Sequence, residues 1–201
     1  MIKRLFDLTL SSLGLIASAP FWALFALAIK IEDGGAVFFP QARVGLGGRV
    51  FTALKFRSMV PDAESPGRPV QAVENDPRIT RVGRLLRGTA MDELPQLWNI
   101  LVGDMSFVGP RPLVPGEVEV RGDGRLIPLA EIPGYEARHG IRPGLTGLTQ
   151  VYAPRDLSRT SKFRLDRLYL ERAGVCLDLK LIALSFWITA RGAWESRGPK
   201  L

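Results

Sequence analysis

Residues Leu8 to Ile29 read LTLSSLGLIASAPFWALFALAI, a run of 22 residues without a charge. At ~1.5 Å per residue a straight helix over it reaches ~33 Å, enough to cross a hydrocarbon core of ~30 Å. Ten of the 22 are Leu, Ile or Phe, each worth roughly −0.3 to −0.6 kcal/mol at the centre of an inserted helix, so membrane insertion is favoured. Ala17-Ser18-Ala19, after the basic Lys3 and Arg4, has the form of a signal-peptide cleavage site. Pro20 just past the cut opposes cleavage, and the apolar run continues beyond it. The same Pro20 removes a backbone donor in mid-segment and predicts a break or kink there. The half from Leu8 to Ala19 then covers only ~18 Å, too little to cross. Lys3 and Arg4 precede the segment and Lys30, Arg43, Arg49, Lys55 and Arg57 follow it, a pattern that keeps both ends on the cytoplasmic face. These residues favour a re-entrant hairpin and leave a kinked single span open.

Outward from this segment, 27 Lys+Arg against 20 Asp+Glu give a net charge of +7 in 201 residues. That balance fits an anionic partner, whether phosphate esters, an acidic leaflet or nucleic acid. The length is that of one domain. One cysteine, Cys176, and one histidine, His139, exclude a disulfide framework and Cys/His metal clusters, so any metal must be held by oxygen ligands. No G-x-S-x-G turn accompanies His139, which is read as a surface-loop residue. The basic residues are dispersed and carry no nucleic-acid motif, so no nucleic-acid partner is expected.

Val37 to Phe39 and Val50 to Arg57 are β-prone runs around Gly45, Gly47 and Gly48, which predicts a hairpin. Pro61 to Pro77 is rich in Pro, Gly and charge and reads as a loop. Leu94, Leu97, Trp98 and Leu101 fall at i, i+3, i+4 and i+7, predicting the buried stripe of a helix. Pro95 is tolerable only in a first turn, so this helix is predicted to start at about Met91 to Glu93, with Asp92 at or beside the N-cap. An aspartate there is either a simple cap worth ~1 kcal/mol or an ionised group facing a phosphate. Lys162 to Arg172 and Leu181 to Ala190 combine basic flanks with apolar and Trp residues, which suits interfacial helices or ordinary core helices.

Together these stretches resemble the monotopic phosphoglycosyl transferases, a bacterial sugar transferase family. The similar motifs are Lys3-Arg4-x-x-Asp7, the proline-interrupted apolar helix, Phe39-x-Gln41-x-Arg43-x-Gly45, Lys55-Phe56-Arg57-Ser58-Met59, Asp76-Pro77-Arg78-Ile79-Thr80-Arg81-Val82-Gly83, Asp92-Glu93-Leu94-Pro95-Gln96, Val108-Gly109-Pro110-Arg111-Pro112, Arg142-Pro143-Gly144-Leu145-Thr146-Gly147 and Asp178-Leu179-Lys180. The resemblance implies transfer of a sugar-1-phosphate from a UDP-sugar to polyprenol phosphate in the bacterial cytoplasmic membrane, with Mg²⁺ and with membrane lipids as surroundings. It implies an α+β, mostly helical fold: a re-entrant helix over 1–31 broken at Pro20, then a cytoplasmic-face catalytic part over 32–201 with a short β-hairpin and amphipathic interfacial helices. The family's catalytic pair falls on Asp92 and Glu93. Asp92 is then the nucleophile toward the β-phosphorus and the Mg²⁺ ligand, and Glu93 an acid/base or supporting group.

Lys55, Arg57, Arg87 and Arg111 are the expected phosphate-binding residues, Arg111 stiffened by Pro110 and Pro112. Gln150 is expected at the donor. Two departures from the family pattern stand out. Ala19-Pro20 replaces the usual Ser-Pro, with Ser18 displaced by one position, and Gln150-Val151-Tyr152-Ala153-Pro154-Arg155 replaces the usual run after the Arg142-Pro143-Gly144 motif. The alternative from another functional class is a non-catalytic, basic, membrane-anchored scaffold for anionic lipids, which gives Asp92-Glu93 no task.

Overall fold

A computed structural model of the chain describes residues 2–61, 63, 76–121, 124–154 and 157–194. Most of the Pro61 to Pro77 loop, and Arg155, lie outside the described residues. The chain is mostly helical with short strands. An N-terminal helix α1 (Ile2–Asp33) is followed by β1 (Phe38–Val44), β2 (Val50–Phe56) and α2 (Arg81–Gly88). A 3-10 turn (Met91–Glu93) leads into α3 (Gln96–Val102), β3 (Ser106–Val108), β4 (Val118–Val120), β5 (Leu126–Pro128) and α4 (Tyr135–Arg138). Then come β6 (Gly144–Thr146), α5 (Leu148–Tyr152), α6 (Arg159–Arg172) and α7 (Val175–Ala190).

Helix α1 is long and apolar enough to cross a membrane by length and composition. Its residues divide by helical spacing into two faces. Asp7, Ser11, Ser18 and Ile29 are buried, and Gly14, Trp22 and Phe25 lie on the same stripe. Leu5, Leu13, Ile16, Leu24, Leu27 and Ile31 are exposed on the other. Pro20, predicted to break or kink the segment, lies inside one continuous helix. Packing of the inner face on both sides of it accounts for that continuity: a Cβ on Gly14 would meet Leu97 at 3.2 Å, and Trp22 and Phe25 pack edge-on against Phe56. Ser18, the displaced serine, donates to Leu15 O at 3.4 Å and accepts from Trp22 Nε1 at 3.1 Å.

Both ends of α1 are tied to the same body. At the start, Lys3 Nζ meets Asp178 Oδ2 at 2.5 Å, and Arg4 donates to the α3 carbonyls of Ile100 and Leu101 at 2.6 and 2.8 Å. Asp7 Oδ1 accepts from Ser106 Oγ and Phe107 N, each at 3.0 Å. At the end, Glu32 accepts from the Arg81 and Val82 amides at 2.6 and 3.1 Å, and Thr80 Oγ1 from Gly83 N at 2.9 Å. Three otherwise orphaned amides of α2 are thereby capped, two of them by α1.

The predicted hairpin is present, with β1 and β2 antiparallel from Phe38↔Phe56 to Val44↔Val50. Gly47 and Gly48 turn the chain with φ of 63° and 78°. Strands β3 and β6 pair in parallel, Ser106↔Gly144 and Val108↔Thr146. This contact joins the Gly109-Pro110-Arg111-Pro112 and Arg142-Pro143-Gly144 segments. Here glycine is required by close approach: a Cβ on Gly144 would sit 2.0 Å from Gly109 N.

Three expectations are corrected. The helix predicted from Met91–Glu93 starts at Gln96; Asp92 sits in the preceding 3-10 turn and does not cap α3. In α3, Leu97 and Ile100 are buried but Trp98 is half-exposed, because the buried position next to it belongs to Asn99. The Asn99 amide accepts from Leu54 N at 3.0 Å and donates to Thr52 O at 2.8 Å, locking α3 to β2. His139 is buried at the end of α4, its ring 4.5 Å from that of Tyr135. Burial and the neighbouring Arg138 push its pKa down to about 4.

Candidate active site

The 3-10 turn carrying Asp92 and Glu93 is entered through Ala90, whose φ of 55° makes it the one positive-φ residue other than glycine among the described residues. A left-handed alanine costs free energy and persists only where its surroundings impose it. Its effect is to turn two adjacent carboxylates inward, both buried, toward the end of β2 and the loop after β3.

Those two carboxylates have different company. Glu93 Oε1 accepts from Lys55 Nζ at 2.9 Å and Arg111 NH2 at 2.7 Å. Burial pushes the Glu93 pKa up, but the charges of Arg111 and Lys55 override it and hold the group ionised well below the usual carboxylate range. Burial likewise pushes Lys55 down, opposed by Glu93, while Glu93 pulls Arg111 up. The Asp92 carboxylate makes no hydrogen bond or ion pair among the described residues. Burial, and then the adjacent Glu93 charge, push its pKa up to about 6 against the pull of Lys55, Arg87 and Arg111. Asp92 opens onto a groove of about 1210 Å³ that Lys55, Arg87, Glu93 and Arg111 also line.

Lys55, Arg87, Arg111, Asp92 and Glu93 are therefore brought together as the sequence suggested. Arg57 lines the same groove, but its guanidinium is engaged: it pairs with both oxygens of Asp33 and donates from Nε to Ala36 O at 2.5 Å, tying β2 to the end of α1. Gln150 donates to Gly109 O and Gly144 O at 3.4 and 3.3 Å, bracing the loop that presents Arg111.

That loop is stiff for a reason beyond its prolines. Five successive carbonyls accept hydrogen bonds: Gly109 O from Gln150, Pro110 O from Gly144 N, Arg111 O from Arg138, Pro112 O from Arg43 and Leu113 O from Val44 N. Arg138 is fixed in turn by Asp166, Nε to Oδ2 at 2.9 Å, and Thr149 Oγ1 donates to the other Asp166 oxygen at 2.5 Å. Arg43, Asn99 and Arg138 are site-building residues that spacing alone did not single out. Arg43 carried a signal, since it alternates with Gln41 on β1, whereas Arg138 and Asp166 are brought together only by the packing of α4 on α6.

Chemically, an uncommitted carboxylate beside a neutralised one, ringed by cations, can attack phosphorus or hold a cation. Among the described residues no group of three or more His, Cys, Asp and Glu side chains could hold a metal. The donor set fits instead a hard divalent cation bound by one carboxylate with substrate phosphates, the usual arrangement for Mg²⁺. The groove continues from these charges to an apolar wall that includes Leu13, Ala17 and Phe21 of α1 and Ile182 and Phe186 of α7.

The chain is 44% identical over 190 residues to an undecaprenyl-phosphate glucose phosphotransferase of Komagataeibacter xylinus, covering 91% of this chain and 35% of that protein. It is 36% identical over 196 residues to the exopolysaccharide production protein ExoY of Rhizobium meliloti (strain 1021), covering 90% and 82%. It is 40% identical over 190 residues to a UDP-glucose:undecaprenyl-phosphate glucose-1-phosphate transferase of Klebsiella pneumoniae, covering 92% and 39%. The chain thus spans little more than a third of the first and third of these relatives and most of the second. The profile of the family described as bacterial sugar transferase matches residues 1–192, so a site built on Asp92, Glu93, Lys55 and Arg111 lies within the matched region, and the chain belongs to the bacterial sugar transferase family.

Proposed function

We propose that the protein transfers a sugar-1-phosphate from a UDP-sugar to polyprenol phosphate, the first membrane step in assembling a surface glycan. The observation that carries this reading is the inequality of the two acids, with Glu93 saturated by Lys55 and Arg111 and Asp92 uncommitted at the groove. In the first step an Asp92 oxygen bonds to the β-phosphorus, the bond from that phosphorus to the bridging oxygen breaks, and UMP leaves with the electron pair. In the second, an oxygen of polyprenol phosphate bonds to the same phosphorus and Asp92 leaves as carboxylate, giving polyprenyl diphosphate sugar. Dividing one displacement into two lets a soluble donor and a lipid acceptor use one site in turn.

Lys55, Arg87 and Arg111 bind the diphosphate oxygens, and Arg111 is presented by a loop that cannot yield. Asp92 would hold Mg²⁺ together with the substrate phosphates, and the ion would supply charge neutralisation of the leaving group. The apolar wall between α1 and α7 suits the polyprenyl chain. Tethering of both ends of α1 to one body supports a helix that enters the membrane from one side only, and the basic residues before and after it support the cytoplasmic face of the cytoplasmic membrane. The exposed Phe186 and Trp187 of α7 suit the headgroup region.

The test is incubation of nanodisc-embedded protein with Mg²⁺ and UDP-sugars in the absence of acceptor. UMP release with a phosphosugar mass on the Asp92 peptide is expected. Turnover only with acceptor, and no adduct, would mean direct transfer with Asp92 as a cation ligand. The topology is tested by labelling single cysteines placed at the exposed Ile2 and Ile31, in protein whose Cys176 is replaced by serine, from outside sealed inverted vesicles; both react if both ends face the cytoplasm.

A further inference from the structure

Ala90 stands in a left-handed conformation that alanine rarely adopts, and part of what holds it there lies beyond α7. Helix α2 runs to Gly88, Thr89 caps it, and Ala90 follows at φ 55°. This is the position past a helix end at which glycine is usual, because it has no Cβ to strain. The end of α7 obeys that rule. Its Ile188 and Thr189 carbonyls accept from Ala193 N at 3.1 Å and Gly192 N at 3.0 Å, and the left-handed residue is Gly192, at φ 62°.

The two helix ends touch. A Cβ on Gly88 would lie 3.6 Å from Gly192 O, and one on Gly192 would lie 4.0 Å from Gly88 O. Just beyond, Trp194 N donates to Gly88 O at 3.3 Å, which fixes the peptide plane between Gly88 and Thr89. Trp194 is itself held. Its Nε1 donates to Thr189 Oγ1 at 2.8 Å, and with Ala193 it packs on the cluster of Val108, Val151, Tyr169, Leu181 and Ile188.

The far side of the turn is anchored as well. Met91 and Leu94 pack on the cluster of Ile29, Phe56 and Leu86, and Glu93 is tied to Lys55 and Arg111. Thr89 and Ala90 must therefore join two fixed ends. Thr89 is committed to the helix, with Oγ1 donating to Leu85 O at 2.8 Å, so the change of direction falls on Ala90.

We infer that Trp194 is a positioning residue for Asp92: by holding the Gly88 carbonyl it imposes the left-handed turn at Ala90 that points the Asp92 carboxylate into the groove. Trp194 lies past residue 192, where the match to the bacterial sugar transferase family ends. Its effect on catalysis rests on the proposed transfer through Asp92; its effect on the turn does not.

The experiment measures hydrogen exchange at the Glu93 and Leu94 amides, which close the turn on Ala90 O and Met91 O. It also measures turnover of polyprenol phosphate with UDP-glucose, UDP-galactose and UDP-N-acetylglucosamine. The full-length protein in nanodiscs carries Trp194→Ala, Ala90→Gly or both. With Ala90 present, Trp194→Ala is expected to speed exchange at these amides and to lower turnover, each by about tenfold. In the Ala90→Gly background the left-handed turn needs no imposing, and Trp194→Ala should change either quantity by less than about threefold. Gly192→Val is the second variant. It forces a β-branched side chain to positive φ at an exposed position and withdraws the Trp194 amide while the ring remains, so it decides the matter if Trp194→Ala does not fold.

Equal losses in both backgrounds would overturn the inference by making Trp194 a general support of the fold. Faster exchange with unchanged turnover would overturn the positioning of Asp92, and unchanged exchange would overturn the hold on the turn. Wild type without turnover from any donor would overturn the transferase reading and the catalytic role with it, while exchange still decides what Trp194 does to the turn.

Discussion

Arg138 donates through NH2 to the backbone carbonyl of Arg111 at 2.6 Å, from a position in which its Nε is committed to Asp166. A buried ion pair therefore sets where a groove-lining guanidinium stands. Arg138→Lys keeps a charge for Asp166 but cannot serve both partners. We expect the catalytic rate to fall by about a hundredfold, the cost of a small misplacement, with the protein still folded. Arg138→Ala strands Asp166 and should cost about 3–5 kcal/mol. Circular dichroism melts and turnover of the two variants check this.

Asp92→Asn should abolish the covalent adduct and lower turnover by at least about a thousandfold. It should also stabilise the fold at neutral pH. The Asp92 pKa rises from 3.8 to about 6 on folding, through burial and the charge of Glu93. Between those values the folded chain keeps a proton that the unfolded chain releases, so stability falls as pH rises through the window and is flat above it. Removing the charge removes that slope. The melting temperature at pH 7 should rise by on the order of 3 °C, while at pH 4 the two proteins should melt alike.

Adduct formation by the wild type should follow the ionised fraction of Asp92. Below about pH 6 the single-turnover rate should drop about tenfold per pH unit. Rapid-quench measurements across pH 4.5 to 8 decide it; a rate independent of pH over that range contradicts a carboxylate nucleophile.

Glu93→Gln should be worse for stability than Asp92→Asn, although the two acids are neighbours of the same kind. The amide leaves Lys55 and Arg111 without their counter-charge, and Lys55 is buried. Breaking such a pair costs roughly 3–5 kcal/mol at full burial; with Arg111 half-exposed the low end is expected. Denaturant titration of both variants ranks them.

Glu32→Ala should loosen α2 without touching the active-site charges. Two amides at the start of α2 lose their acceptor, at a cost of ~1 kcal/mol. Hydrogen exchange at Arg81 and Val82 should speed up while that at Asn99 and Ile100 does not.

The β-hairpin, and the gathering of Asp92 and Glu93 with cations at the groove, were legible in the sequence because they rest on local signals: alternation and glycines for β1–β2, and adjacent acids flanked by arginines for Asp92 and Glu93. The start of α3 was misread. Pro95 fits a first helical turn, but Ala90 in a left-handed conformation inserts a 3-10 turn before it, and no propensity rule places an alanine there. Arg57 was expected beside Lys55 at the phosphates; it does line the groove, and its pairing with Asp33, 24 residues earlier in the chain, is a contact that the sequence did not signal. The Arg138–Asp166 pair, 28 residues apart, had no signal in one sequence because no local spacing links a residue of α4 to one of α6.

The clasp at the start of α1 draws on parts of the chain that are remote from one another. Lys3 meets Asp178 of α7 across 175 residues, whereas Asp7, one turn on, is seated on Ser106 and Phe107 of β3. Removing α7 would therefore free Lys3 while leaving Asp7 in place, so the helix would be loosened by a turn and not released.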